Sequence, residues 1–317
     1  MFGWFSIEKR RFCRRVTIFG WTMEWRRKRS FTQIEETLRT LEMRFQEAQM
    51  PRVEIALNNQ RVLEETSHGT AFGEWGIRWC RTLRSLMTVM DVRGRESDFV
   101  RIGPDRDGGY VHLNDFPTGC VAYSFGISDD VGWDRDIAQR GIDVFMYDHT
   151  ISGLPEEHPR FHFFRTGVTG AHPLPDCRTL DELIIVNGHR DCRDLILKMD
   201  VEGCEWDVLN HVPEKTLTQF SQMVFEFHGM AGGPYDDVIV PSLEKINRTH
   251  QLVHLHANNY GGVRWLGDRF QSVTFEATYV RRADYEFVPS DRFFPADIDR
   301  PNNPLLPDIL IGNCGKT

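Results

Sequence analysis

The stretch Leu195-Ile-Leu-Lys-Met-Asp-Val-Glu-Gly-Cys-Glu-Trp-Asp-Val-Leu209 decides the fold. It opens as an apolar run, places an acid at Asp200, turns through Glu202-Gly203 and continues with a helical pattern. That is a buried strand, a sharp glycine turn and a helix. In an open α/β sheet, ligands bind beyond the carboxyl ends of the strands, so the two acids stand where a substrate would lie.

The same texture extends outward from this segment. Apolar runs predict strands near Cys120–Phe125, Asp143–Tyr147, Arg160–Arg165, Leu195–Met199, Gln222–Phe227, Gln251–Leu255 and Gln271–Val280. Helical patterns fall between most of them, at 132–140, 179–187, 204–210 and 237–249. This alternation implies βαβ units and a doubly wound, mostly parallel sheet. The last run, SVTFEATYVRR, alternates apolar and polar residues and fits an antiparallel strand added late.

The strand ends gather the chemistry. The first ends in Tyr123-Ser-Phe-Gly-Ile-Ser-Asp-Asp130, where Gly126 would turn the chain tightly and let a ligand approach. No GxGxxG is present, which disfavours a nicotinamide or flavin site. The second strand ends on Asp148, at a spacing suited to a carboxylate that accepts ribose hydroxyls. Later ends carry Asp200 and Glu202, then Glu226 and His228, then His256, Asn258 and Asn259. Strand alternation turns the polar residues of each run to one side, so they would crowd one rim. Such a rim suits acid/base work or a hard divalent cation such as Mg²⁺.

The remainder of the 317 residues sorts by composition. Seven cysteines (13, 80, 120, 177, 192, 204 and 314) contain no CxxC pair, which argues against a disulfide framework or zinc knuckle and for a reducing, cytoplasmic setting. Net charge is −8; residues 1–30 hold nine Lys or Arg against two Glu, a net of +7, leaving −15 for the rest. An acidic body is a poor nucleic-acid binder. The basic, aromatic head is too short to span a bilayer. It reads as a poorly ordered tail (1–30) or as a peripheral membrane contact. Residues 31–95 read as a helical arm, with helices over Phe31–Gln49, on to about Glu65, and over Gly76–Met90. The arm could support a homo-oligomer. Residues 96–285 form the α/β domain, and a Pro-rich tail, 286–317, reads as extended.

LKMDVEGCEWDVL resembles the fourth-strand signature of the FkbM-type S-adenosylmethionine-dependent methyltransferases. Arg101-Ile-Gly-Pro-Asp-Arg-Asp-Gly-Gly-Tyr-Val111 is similar to the RxGxxxDGGYV segment of a methyltransferase-like subset of that family. Val224-Phe-Glu-Phe-His228 and His254-Leu-His-Ala-Asn-Asn-Tyr260 are similar to its later strands. The resemblance implies a seven-stranded methyltransferase-type sheet and O-methylation of a sugar, glycan or natural product. By position, Ser124, Phe125, Gly126 and Ile127 would contact the methionine part of the cofactor, Asp148 its ribose, and Thr166 and Gly167 its adenine. Asp200 would stand near the sulfonium. SFGISDD departs from the family's usual acidic GxG loop. The base would be His228 or His256, or a divalent ion on Asp200 and Glu226 would lower the hydroxyl pKa. Trp206, Tyr235, Tyr260 and Trp265 could stack on an acceptor. The alternatives are a non-catalytic ligand- or partner-binding module and a metal-dependent hydrolase.

Overall fold

The computed structural model describes three strands near the N-terminus and residues 70–315, apart from 171–173, 231–235 and 267–268. The chain divides into two compact units, 1–54 and 55–317. In the first, Ser6–Arg10, Cys13–Ile18 and Trp21–Arg26 pair as an antiparallel three-stranded sheet. Trp21, Met23 and Trp25 alternate with Thr22, Glu24 and Arg26, a period-2 pattern that the reading of this segment as a basic tail passes over. The helices expected over 31–65 lie outside the described residues.

The second unit is built on seven strands: β1 (Val121–Phe125), β2 (Asp143–Tyr147), β3 (Phe161–Phe164), β4 (Leu195–Met199), β5 (Phe220–Phe227), β6 (His250–Ala257) and β7 (Phe275–Arg281). Their spatial order is β6-β7-β5-β4-β1-β2-β3. The contacts from β5 through β3 are parallel, and β7 runs antiparallel to both neighbours. This is the doubly wound sheet with one reversed strand that the alternation predicts. Chain direction switches between β1 and β4, so the crevice for a ligand opens beyond Phe125 and Met199.

The helices α1 (Thr70–Leu86), α2 (Gly132–Gln139), α3 (Leu180–Val186), α4 (Glu205–His211) and α5 (Asp236–Thr249) accompany the sheet. The central strands are buried on both faces: no residue of β4, β5, β6 or β7 is more than slightly exposed. Tyr123, Phe125, Phe220, Phe225, Phe227 and Trp206 form one continuous core with α1 residues Trp79, Cys80 and Leu83. Burying each such large apolar side chain stabilises the fold by roughly 1.5–3 kcal/mol.

Two expected boundaries move. Helix α1, placed in the arm by its sequence, packs against α5, and the Asn247 amide donates to the Leu86 carbonyl at 2.7 Å. The C-terminal segment is not a loose tail. Phe287–Pro289 pairs with Met90–Val92, Phe293–Phe294 pairs with Gly312–Asn313, and the Val89 amide donates to the Cys314 carbonyl at 3.1 Å. No helix of the described residues is long and apolar enough to cross a membrane.

Candidate active site

At the switch point the two loops cross in backbone contact. Gly126 has φ +77°, and a Cβ there would lie 1.5 Å from the Asp200 carbonyl oxygen. The Asp200 amide donates to Phe125 O at 3.1 Å, and Lys198 Nζ donates to Gly126 O at 2.6 Å. Only glycine fits. What approaches Gly126 so closely is the turn after β4, not the ligand expected from the sequence.

The side chains of Ser124, Phe125 and Ile127 are buried, so any contact they make to a ligand would run through the backbone. Asp148, also buried, closes the β1 loop. Its Oδ2 accepts from the Ile127 and Ser128 amides at 2.9 and 3.0 Å. Its Oδ1 accepts from the Thr150 amide and hydroxyl at 2.8 and 2.6 Å. Burial alone would raise the Asp148 pKa, but the four donors outweigh it and hold the carboxyl at about 2. All four acceptor positions are filled, and the ribose role expected of Asp148 finds none open in this arrangement. Thr166 is half-buried after β3. Gly167 is walled in, since a Cβ would stand 2.6 Å from His149 Nδ1 and 2.7 Å from Cys177 Sγ.

On the other side of the switch point the predicted rim assembles. The Tyr110 hydroxyl lies 3.0 Å from Asp200 Oδ2 and 3.3 Å from Glu226 Oε2. Asn258 Nδ2 donates to Glu226 Oε1 at 2.7 Å and reaches Asp107 Oδ1 at 3.4 Å. Asn302 Nδ2 donates to Asp107 Oδ1 at 2.9 Å and to Glu276 Oε1 at 2.5 Å. Because β7 is reversed, Glu276 near its start faces Glu226 across one pair and His256 across the other. Burial, then Asp200, raises the Glu226 pKa to about 8, with Glu276 adding to the rise. That rise favours the protonated form of Glu226.

The two histidines are cations. His228 Nδ1 faces Glu205 Oε1 at 3.2 Å, and Nε2 faces Glu202 and Glu226 at 3.4 and 3.5 Å. Burial opposes its charge, but hydrogen bonds to Glu205 and Glu226 raise its pKa to about 11. His256 is fully buried between Glu276 Oε2 at 2.9 Å and Asp308 Oδ1 at 3.0 Å. Against the cost of burial, Glu276 and Asp308 lift it to about 10. An imidazole already protonated, with both nitrogens engaged, cannot take a proton from a substrate. Both raised pKa values run against the base role expected of His228 or His256.

The ligand-capable atoms of Asp200, Glu226 and His228 lie within 4.8 Å of one another, as do those of Asp107, Glu226 and Glu276. Carboxylates with one imidazole suit a divalent cation by donor type. A divalent cation would take His228 and Glu226 as ligands only with their ring and carboxyl protons released.

Sequence reasoning finds Asp200, Glu226 and Asn258 and misses Tyr110, Asp107, Glu276, Asn302 and Asp308. Glu276 carries a signal, an acid near the start of a buried strand. Asn302 and Asp308 come from the Pro-rich segment, whose composition carries none. Asn259 ties the rim to that segment by donating to Asn303 O at 3.0 Å. Trp206 is completely buried, stacked on Phe227 with its indole N–H on His228 O at 2.7 Å, and is not an acceptor platform. Tyr260 is exposed; Tyr235 and the Trp265 side chain lie outside the described residues.

Comparison with curated proteins finds no match. Residues 69–247 match the family model described as the methyltransferase FkbM domain. That span holds α1, the switch point, Asp148 and the acids of β4 and β5, and it is more than half of the chain. With the strand order in agreement, the chain belongs to the FkbM methyltransferase family.

Proposed function

We propose that the protein is an S-adenosylmethionine-dependent O-methyltransferase acting on a hydroxyl of a small molecule or glycan. The observation that carries this reading is the Asp200–Tyr110–Glu226 triad at the carboxyl ends of β4 and β5, beside the switch point. The cofactor, when bound, supplies a methyl group already activated on a sulfonium. The chain then has to align an alcohol and remove its proton.

Asp200 is the only half-buried member of the triad; Tyr110 and Glu226 are buried behind it. We assign it the proton-accepting role. Tyr110 holds Asp200 in place with its hydroxyl. Glu226, in its protonated form, adds no second negative charge beside the reacting oxygen. His228 balances Glu202 and Glu205 and positions the turn after β4. A divalent cation on Asp200 and Glu226 is the competing arrangement, and it predicts loss of turnover on chelation.

The cofactor contact is the weaker join, because Asp148 has no open acceptor. A ribose there would replace a donor from Ile127, Ser128 or Thr150. That saturation favours a second reading, a partner- or ligand-binding module on the same fold. Calorimetric titration of S-adenosylhomocysteine, with and without Mg²⁺, separates the two. Micromolar binding supports the enzyme, and no binding in either condition supports the module.

A further inference from the structure

At the opposite end of the sheet from the rim lies a cavity of about 530 Å³. It is bounded by the loop before β4, the short helix Glu214–Leu217 and the ends of α5 and β7. The eight residues of β5 separate it from Glu226 by roughly 20 Å. Six cations line it: Arg190, Arg193, Lys215, Arg248, Arg281 and Arg282. This is a local excess of positive charge on a chain whose net charge is −8.

Three of the six are neutralised. Arg248 Nε sits 2.8 Å from Glu214, Arg281 is clamped between Asp194 and Asp284, and Arg193 reaches Asp284 at 3.6 Å. Arg190, Lys215 and Arg282 have no carboxylate within ion-pair distance among the described residues. Arg282 is held in place without being neutralised: its Nε donates to the Asn247 and His250 carbonyls, each at 2.9 Å. Gln219 Nε2 fixes the loop that carries Arg190 by donating to the His189, Arg190 and Cys192 carbonyls at 3.1, 3.0 and 2.9 Å. Asp191 lines the same cavity, so its wall carries one acid against six cations, and an anion seated among the exposed Arg190, Lys215 and Arg282 reduces the repulsion between them. Guanidinium groups suit phosphoryl oxygens in particular, through paired N–H donors.

We propose that this cavity binds a small phosphoryl-bearing anion free in solution, held by Arg190, Lys215 and Arg282 and remote from the methyl-transfer rim. The site does not depend on the methyltransferase reading.

The test is calorimetric titration of inorganic pyrophosphate into the full chain at low and at moderate salt. Binding that weakens with salt is expected. The R190A/K215A double variant should bind roughly a hundredfold more weakly, about tenfold for each charge-assisted contact. The charge-conserving R190K/K215R double should bind, and its melting midpoint together with that of R190A/K215A should match the parent. Arg178→Ala, an exposed cation on the short strand before α3, and Asp200→Asn at the rim should both bind normally. The proposal is overturned by absence of pyrophosphate binding, by undiminished affinity in R190A/K215A, or by equal loss in Arg178→Ala or Asp200→Asn. Phosphatidylcholine vesicles with and without phosphatidylinositol bisphosphate form a second arm. Capture by the anionic vesicles with no affinity for pyrophosphate overturns the assignment to a soluble ligand.

Discussion

Asp148 and Glu226 stand at the ends of neighbouring halves of one sheet and are both buried, yet their pKa values shift in opposite directions. Asp148 gathers four donors, and its pKa lies at about 2. Glu226 also has donors, in Tyr110, Asn258 and His228, but burial and the neighbouring Asp200 and Glu276 outweigh them, and its pKa rises to about 8. Burial pushes both the same way. The neighbours decide, and they decide by strand direction. On the β1–β2 side the loop amides turn back onto the carboxylate. On the β4–β5–β7–β6 side parallel and reversed strands deliver side-chain acids to one point. One half uses its acid to shape a loop, and the other gathers several acids at one rim.

The largest effect should come from the seam between the halves. Gly126→Ala places a methyl group against the Asp200 carbonyl at a left-handed backbone position. It should cost more than about 3 kcal/mol, read from urea unfolding. An unchanged midpoint would mean the two loops are not locked together.

Next, Asp200→Asn and Asp148→Asn should separate activity from stability. The first should slow methyl transfer by roughly 10²–10⁴-fold with the melting point nearly kept. The second should lose about 1–3 kcal/mol of stability near pH 7, because an amide NH₂ cannot accept the donors now bonded. Equal stability losses in the two variants would erase the contrast.

The contrast also predicts opposite pH responses. His228 and His256 are raised in the folded state, so their contribution is full below about pH 6.5 and is lost as pH rises toward 10–11. Glu226, raised to about 8, works in the same direction between about pH 4.5 and 8. Asp148, depressed, loses its contribution only as pH falls from about 4 through 2. The melting point should therefore decline from pH 6.5 to 10, and less steeply in His256→Gln. A flat profile would show that the histidines are neutral and restore them as bases.

The smallest effect sharpens the cofactor question. Thr150→Val removes one donor from Asp148 and frees an acceptor position. If a ribose hydroxyl reaches Asp148, affinity for S-adenosylhomocysteine should rise a few-fold, for about 1 kcal/mol of lost stability. Weaker binding would place the ribose elsewhere.

The sheet is legible in the sequence because each central strand is a short, fully buried run flanked by turn residues; β2 and β4 fall on their predicted bounds. The reversed strand is legible from its alternation. The rim is legible in part, since an acid ending an apolar run is visible while its partners are not. Whether Asp148 is open or saturated depends on how the Ile127, Ser128 and Thr150 donors point, which no pattern encodes. Nor does a Pro-rich stretch announce that Asn302 and Asp308 will enter the rim. Those contacts join residues far apart in sequence and rest on single hydrogen bonds, without a period to reveal them.

The late arrival of Asp308 has a consequence for the order of assembly. About 100 residues separate it from Asp200, which at a ribosome's pace is roughly 5–20 s of synthesis. In the later part of that interval, once β5 and His256 have been made, the imidazole lacks the second of its two acidic partners. A nascent chain thus holds its acids before it holds the segment that brackets them. The charge around His256 is therefore balanced only when the segment carrying Asp308 closes over the rim.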